Sequence, residues 1–209
     1  MSDSTQISTS LPSALRIIIA HSSARSVYGD GYGFSILQVG LIYLGPGLGF
    51  LTAVWFIVPK IDTVYNRLSK KHGESKPEFR LPIANIGSIL IPISLFWFAW
   101  TVEFHVHWFV TILSTFFYGV GQVAIFNSTQ NYYIDSFEKY AASAIAAGAL
   151  FRSIIGGVVP LFTPTLLEKL GFGWGMSVFA FLGVVLGPSP LLFYYYGGFL
   201  REKFAIELD

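Results

Sequence analysis

The chain has 209 residues, of which 53% are apolar and only 12% charged, and its mean hydropathy is +0.59. About a quarter of the residues in a water-soluble domain are charged, so a single soluble core fits this composition poorly. The net charge of +1 gives no reason to expect a nucleic-acid partner, and the absence of cysteine excludes disulfides and thiolate metal sites.

The N-terminal segment, residues 1–34, is polar, rich in serine and ends in a glycine-rich stretch. We expect an irregular or mobile segment there, with at most one short helix around 12–22. Its apolar run at 15–20 is short and contains Arg16, so we expect no cleavable signal peptide.

Five long apolar segments follow, and each exceeds or equals the roughly 20 residues that a membrane-spanning helix needs. Arg152 is the only charged residue inside them. A buried helix of a soluble protein is rarely so long and so free of charge, so the sequence predicts an all-α, multi-pass integral membrane protein surrounded by the lipid bilayer. The predicted transmembrane helices are 36–58, 82–101, 108–133, 141–167 and 174–197.

The connections between these segments differ in lysine and arginine content. Loop 59–81 carries six such residues, whereas loop 102–107 carries none. On one side, loops 59–81 and 134–140 and the residues after 197 hold nine lysine and arginine residues together. On the other side, loops 102–107 and 168–173 hold one, or three once the N-terminal segment is added. Since cytoplasmic loops are enriched in these residues, we predict that the first span begins outside and that the tail, 202–209, is cytoplasmic.

Arg152 lies eleven residues after the start of its predicted span. This spacing corresponds to about 16 Å of helix, close to the middle of a hydrocarbon core about 30 Å thick. A charge at that depth is costly, so the guanidinium should face a bundle interior or a water-filled cavity. It could act in a transport cycle or bond structurally to backbone carbonyls, and the sequence leaves both open.

Other polar groups lie in the third span. By their three- and four-residue spacing, Asn127, Gln130 and Asn131 share one helix face, and Gln122 stands apart. Amides inside a bilayer either bond across helices or line a wet cavity, and both interpretations stay open. Asp135, at the expected cytoplasmic end, is either a solvated cap or part of a charge lock that closes an inner gate.

Small residues recur at helical spacing in two of the spans. Gly45 and Gly49 form a GxxxG pair in the first, and Ala142, Ala146 and Gly156 lie on the small-residue face of the fourth. Such faces let helix backbones approach closely, so we predict helix packing there, either tight or able to slide.

Enzyme and metal chemistry find little support in the sequence. Glu103, His105 and His107 lie in or beside one six-residue loop, which offers no full set of metal ligands. No nucleotide-binding or hydrolase motif occurs in a suitable context. We therefore expect no cofactor, no metal and no enzymatic activity.

Seven stretches of the chain, in order, match a known family: YGFSILQVGLIYLGPGLG (32–49), PEFRLP (77–82), PISLFWFAWT (92–101), GVGQ (119–122), YYIDSFEKYAASAIAAGALFRSIIGGVVPLF (132–162), LGFGWG (170–175) and P-x-P-x-x-x-YYYG-x-x-LR (188–201). From about Tyr32 to Arg201 the chain thus resembles the C-terminal part of fungal major facilitator superfamily transporters, in the branch of drug:proton antiporters and polyamine exporters.

The resemblance implies that residues 35–201 supply the eighth to twelfth helices of a twelve-helix, two-bundle fold in the plasma membrane. Spans 36–58 and 141–167 would lie at the seam between the bundles, and the third span would border the central cavity. Asp135 and Arg152 match recurrent acidic and basic positions of the family. The implied activity is proton-coupled export of small cationic or amphipathic molecules, including drugs or polyamines.

The same resemblance implies a missing partner, the N-terminal bundle. We expect residues 1–31 to lie outside the family. Two hypotheses follow. The chain is the C-terminal portion of an exporter, or it is a truncated membrane protein that transports nothing and is either inert or associated with a full-length relative.

Overall fold

The computed structural model describes Tyr28 and residues 32–136, 140–192 and 194–196, and these residues contain helices and turns only. The expected short helix at 12–22 and the tail at 202–209 lie outside the described residues. Residues 189–192 and 194–196 are also helical. The named helices are α1 (Ile36–Ile42), α2 (Leu44–Phe56), α3 (Val58–His72), α4 (Pro82–Glu103), α5 (Trp108–Ser136) and α6 (Ala141–Leu186), with a 3₁₀ helix at Pro77–Arg80.

The first apolar segment continues into the polar segment after it as three consecutive helices. Single residues, Tyr43 and Ile57, separate α1 from α2 and α2 from α3. Each break lies just before a proline, Pro46 or Pro59, whose ring clashes with the carbonyl four residues earlier and whose nitrogen donates no hydrogen bond. Segment 59–81 was expected only as a loop, but α3 makes it helical up to His72. The helix ends at Gly73, whose backbone is left-handed (φ +71°).

Four helical stretches in the described part of the chain are long and apolar enough to cross a membrane. The predicted count of five separate spans is not supported, because spans 141–167 and 174–197 fall within one continuous stretch. The connection 168–173 was expected to separate them, yet helical structure runs through it. The four stretches are Leu37–His72, Pro82–Glu103, Trp108–Ser136 and Ala141–Tyr196.

Helix α6 nevertheless contains a sharp break at Gly171, whose φ of +77° and ψ of 169° are accessible almost only to glycine. A Cβ atom built on Gly175 would lie 3.3 Å from the Cα of Leu167. Eight residues of straight helix would separate these positions by about 12 Å. The chain therefore turns back on itself at Gly171, and the two parts of α6 lie side by side there.

The helices pack in the order α2, α5, α4 and then the part of α6 that follows Gly171, with the most extensive contact between α4 and α5. The last pair is antiparallel, because Trp174 lies against Trp100 and Phe181 against Phe96, at ring-centroid distances of 5.5 Å and 5.0 Å. Tyr32 closes one end of the bundle by donating a hydrogen bond of 2.8 Å to the carbonyl of Val106.

Small side chains fill the interior, and large apolar side chains cover the outside. Ala53, Ala84, Ala124, Ser114 and Ser128 are completely buried. The exposed residues include many leucine, isoleucine, phenylalanine and tryptophan side chains along α2, α4 and α6. Lipid is as apolar as these side chains, so helices in a bilayer gain from close approach between small residues and leave the large ones outside.

Candidate functional site

A cavity of about 240 Å³ lies between α5 and the first part of α6, with α4 contributing one residue. It is bounded by apolar side chains, four uncharged polar ones and one arginine. The lining residues are Ile91, Gln122, Ile125, Phe126, Thr129, Gln130, Tyr133, Ile145, Gly148, Ala149 and Arg152.

One face of α5 supplies most of the polar lining. Gln122, Phe126, Gln130 and Tyr133 follow one another at steps of three or four residues, so they project from the same side of the helix. The structure thus brings predicted Gln130 to the cavity together with Gln122, which the sequence analysis had set apart. Angular spacing alone groups residues without revealing which group faces inward.

The other two predicted amides lie elsewhere. Asn127 and Asn131 are not among the lining residues given for this cavity. The Asn127 side chain donates a hydrogen bond of 3.1 Å to the carbonyl of Val123, one turn earlier in the same helix. One N–H of this amide is therefore bonded within α5.

Arg152 reaches the cavity from α6, and its guanidinium lies over the ring of Phe126, 5.0 Å from the ring centroid. Within the residues that the structure describes, the guanidinium has neither a hydrogen bond nor an ion pair. No carboxylate is among the lining residues. Both roles considered from the sequence, a cavity group and structural bonding to carbonyls, stay predictions.

Asp135 lies outside this cavity and belongs to an ionic cluster at one end of the bundle. Arg80 of the 3₁₀ helix donates from Nε to Asp135 Oδ2 at 2.8 Å and from Nη1 to Asp62 of α3. The guanidinium also lies over the ring of Tyr65, 4.1 Å from its centroid. One arginine thereby connects α3, the 3₁₀ helix and the end of α5.

Arg80 is the charged centre of this cluster. Burial by itself lowers the pKa of Arg80, but the hydrogen bonds to Asp135 and Asp62 outweigh it, and the pKa is raised above its ordinary value. A raised pKa favours the charged form, so Arg80 remains a cation throughout the physiological range. The sequence analysis named Asp135 but missed Arg80, because their separation of 55 residues carries no local signal.

The two predicted small-residue faces differ in what they contact. A Cβ on Gly49 would lie 2.3 Å from the carbonyl oxygen of Phe116, and one on Gly45 would lie 2.7 Å from the side chain of Ile112, so this face packs on α5. The face on α6 has no such contact. Ala142 and Ala146 are exposed, and a Cβ on Gly156 would meet no atom within 4 Å.

Glu103 has a structural role that the sequence analysis did not anticipate. Its Oε2 accepts a hydrogen bond of 2.9 Å from the backbone N–H of Gly173, just after the turn at Gly171. The carboxylate therefore satisfies a backbone donor where the second part of α6 begins, and it ties this turn to the end of α4.

Residues 8–160 match the family model described as Major Facilitator Superfamily. The chain is 41% identical over 178 residues to the MFS-type transporter penM of Penicillium rubens, covering 85% of this chain and 35% of the relative. It is 39% identical over 194 residues to the MFS transporter cpaT of Aspergillus oryzae, covering 92% and 39%. It is 41% identical over 186 residues to the efflux pump radE of Floropilus chiversii, covering 87% and 35%.

The chain spans about a third of the length of the curated relatives it matches. No solved structure matches it. Because the family match begins at residue 8, the expectation that residues 1–31 lie outside the family is wrong for residues 8–31.

Proposed function

Since the chain belongs to the Major Facilitator Superfamily, a family of integral multi-pass membrane transporters and not of enzymes, we propose that it forms part of an efflux pump for small molecules. The observation that carries this proposal is the cavity between α5 and α6. Its wall combines aromatic and apolar side chains with Gln122, Gln130 and Arg152, as ligand sites in transporters require.

The place of the chain in a complete transporter is a second part of the proposal. We assign α6 two crossings, because its 46 residues would extend about 69 Å as one straight helix, against a hydrocarbon core of about 30 Å. With the turn at Gly171, the chain supplies five crossings that correspond to the eighth to twelfth helices of the family. The N-terminal bundle would close the cavity from the opposite side, since alternating access needs two bundles.

Orientation and gating complete the proposal. The excess of lysine and arginine in loop 59–81 supports a cytoplasmic location for the end of the bundle that holds Arg80, with the C-terminus on the same side. The plasma membrane, as the family resemblance implies, is the proposed site. At that end the Arg80–Asp135 pair would act as the charge lock of an inner gate. Proton coupling is a further part of the proposal. None of the residues given as lining the cavity is an acid.

Efflux from whole cells tests the proposal. The matching segment of penM is replaced by this chain, and export of fluorescein and of a cationic rhodamine is followed by fluorescence. We expect export of at least one dye and a loss of about tenfold or more on Arg152→Gln. Arg67→Gln, at an exposed position in α3, is the matched control and should leave export unchanged. Undiminished export by the Arg152→Gln chimera would contradict the role of Arg152.

A second candidate function is a membrane protein that transports nothing by itself and associates with a full-length relative. The exposed apolar residues of α6 on both sides of Arg152, including Phe151, Ile154 and Phe162, would form the contact. The chain expressed alone distinguishes the two hypotheses. Dye export by the isolated chain would reject this candidate, and co-purification with a co-expressed relative would support it.

A further inference from the structure

We propose that the cavity beside Arg152 binds the acidic end of an organic anion, a carboxylate or phenolate carried on a flat aromatic body. This inference rests on the proposed transport function and deepens it by naming the class of substrate. It reverses the charge expected from the family resemblance, which pointed to cationic compounds.

The charge of the cavity wall is the first argument. Arg152 is the one charged residue among the lining residues given for this cavity, and the remaining polar groups are amides and hydroxyls. A cationic ligand would therefore be repelled by the guanidinium and would find no carboxylate to pair with. An anionic ligand gains both attraction and charge-assisted hydrogen bonds, which are about twice as strong as neutral ones.

The free donors of Arg152 are the second argument. A guanidinium carries five N–H donors in a planar fork that fits a carboxylate. In the described residues none of these donors bonds to a protein group, and the Cζ atom of the guanidinium lies over the ring of Phe126, 5.0 Å from the ring centroid. A ring contact uses none of the N–H donors, so a carboxylate lying in the plane of the guanidinium can bond to two of them at once.

The size and composition of the cavity are the third argument. Its volume of about 240 Å³ is below the roughly 300–1,000 Å³ of a site that encloses a drug-sized ligand, so it holds one end of such a ligand. Gln122, Gln130 and Tyr133 can donate further hydrogen bonds to an oxyanion. The rings of Phe126 and Tyr133 with Ile91 and Ile125 provide apolar surface for the adjoining aromatic ring.

Three probes of similar shape and different charge test this inference: 1-naphthoate, 1-naphthamide and 1-naphthylmethylammonium. Each is titrated calorimetrically at neutral pH into the full 209-residue chain in nanodiscs of phosphatidylcholine, with the heat of empty nanodiscs subtracted. We expect naphthoate to bind about tenfold or more tightly than the ammonium probe, with the amide between them. Arg152→Gln should abolish the preference, Arg152→Lys should retain part of it, and Arg67→Gln should leave it intact.

The outcomes separate this inference from the proposed function. Equal or tighter binding of the ammonium probe, or an unchanged preference in a helical and monodisperse Arg152→Gln protein, would overturn the acidic class while leaving transport possible. Absence of binding by all three probes would overturn the cavity as a ligand site. Selective binding of naphthoate together with a failure of the chimera to export any dye would overturn only the proposed transport function.

Discussion

Arg80 is the residue that organises one end of the bundle. Its side chain is 16% exposed, and it holds Asp135 at 25% exposure and Asp62 at 67%. The pair with Asp135 is thus shielded from water, whereas the pair with Asp62 is largely screened by it. An ion pair that is partly buried depends on both partners, because removal of one leaves the other charge poorly compensated.

The two aspartates should therefore differ in their effect on stability. Asp135→Asn is expected to lower the free energy of unfolding by about 1.5–3 kcal/mol, the range for a hydrogen bond to a charged group. Asp62→Asn should cost less than about 1 kcal/mol, because exposed ion pairs contribute little. The measurement is unfolding in sodium dodecyl sulfate followed by circular dichroism. A larger effect of Asp62→Asn than of Asp135→Asn would show that the screened pair is the dominant one.

For single residues, the sequence indicated the kind of side chain at the candidate site more reliably than where that side chain lies. It singled out Arg152 and Gln130, both of which line the cavity. Polar groups inside apolar helices are costly, so they usually have a bonding or functional role. The sequence analysis grouped Asn127 with Gln130 and set Gln122 apart, whereas Gln122 lines the cavity with Gln130 and Asn127 does not. The rotation of α5 is fixed by packing against α2 and α4, which the sequence does not show. Nor could the sequence pair Asp135 with Arg80, which comes from a different helix junction.

Among the helices, α2 and α5 approach most tightly at Gly49. A Cβ there would collide with the backbone carbonyl of Phe116, which cannot move aside as a side chain could. Gly47 lies in the same helix, and a Cβ at that position would meet nothing within 4 Å. The two glycines therefore form a matched pair for substitution.

Gly49→Ala should lower the free energy of unfolding by about 1–3 kcal/mol, because it forces α2 away from α5. Gly47→Ala should be neutral or stabilising by up to about 1 kcal/mol, since alanine favours the helix over glycine. Detergent unfolding monitored by circular dichroism gives both values. Equal effects of the two substitutions would contradict the packing described for α2 and α5.

The GxxxG spacing predicted this contact because it is a local signal on one helix. The same reasoning predicted packing for Ala142, Ala146 and Gly156, yet the two alanines are exposed and a Cβ on Gly156 would meet no atom within 4 Å. A small-residue face indicates that another helix can approach closely, but it does not indicate which helix does so. The close contact of Gly87 in α4 with the carbonyl of Gly121 in α5 was not predicted, because no repeated spacing marks it.

For the molecule as a whole, the proposed count of five crossings depends on the turn at Gly171. Because the chain has no cysteine, a double substitution Leu167→Cys and Gly175→Cys can report on it directly. The side-by-side arrangement of these positions predicts a disulfide on mild oxidation. Ile145→Cys with Ser153→Cys has the same spacing within straight helix, where about 12 Å prevents a bond. Cross-linking of the control pair alone would contradict the reversal.

The orientation of the molecule is tested with single cysteines at opposite ends of the bundle. Ser75→Cys lies in the basic connection between α3 and α4, and His107→Cys lies in the uncharged connection between α4 and α5. In intact cells an impermeant maleimide should label His107→Cys alone, and permeabilisation should add Ser75→Cys. The reverse pattern would place the Arg80 cluster outside and would exclude it from an inner gate.

The sequence by itself determined that the protein is all-α, that its long apolar helices suit a bilayer, and that Arg152 is the one charged residue within the predicted apolar spans. Those properties follow from composition and local spacing, which a chain carries before it folds. The tertiary structure decided the rotation of α5, the pairing of Arg80 with Asp135 and the reversal at Gly171. Each depends on contacts between residues distant in sequence. The reversal also depends on a backbone conformation that Gly171 permits without requiring it.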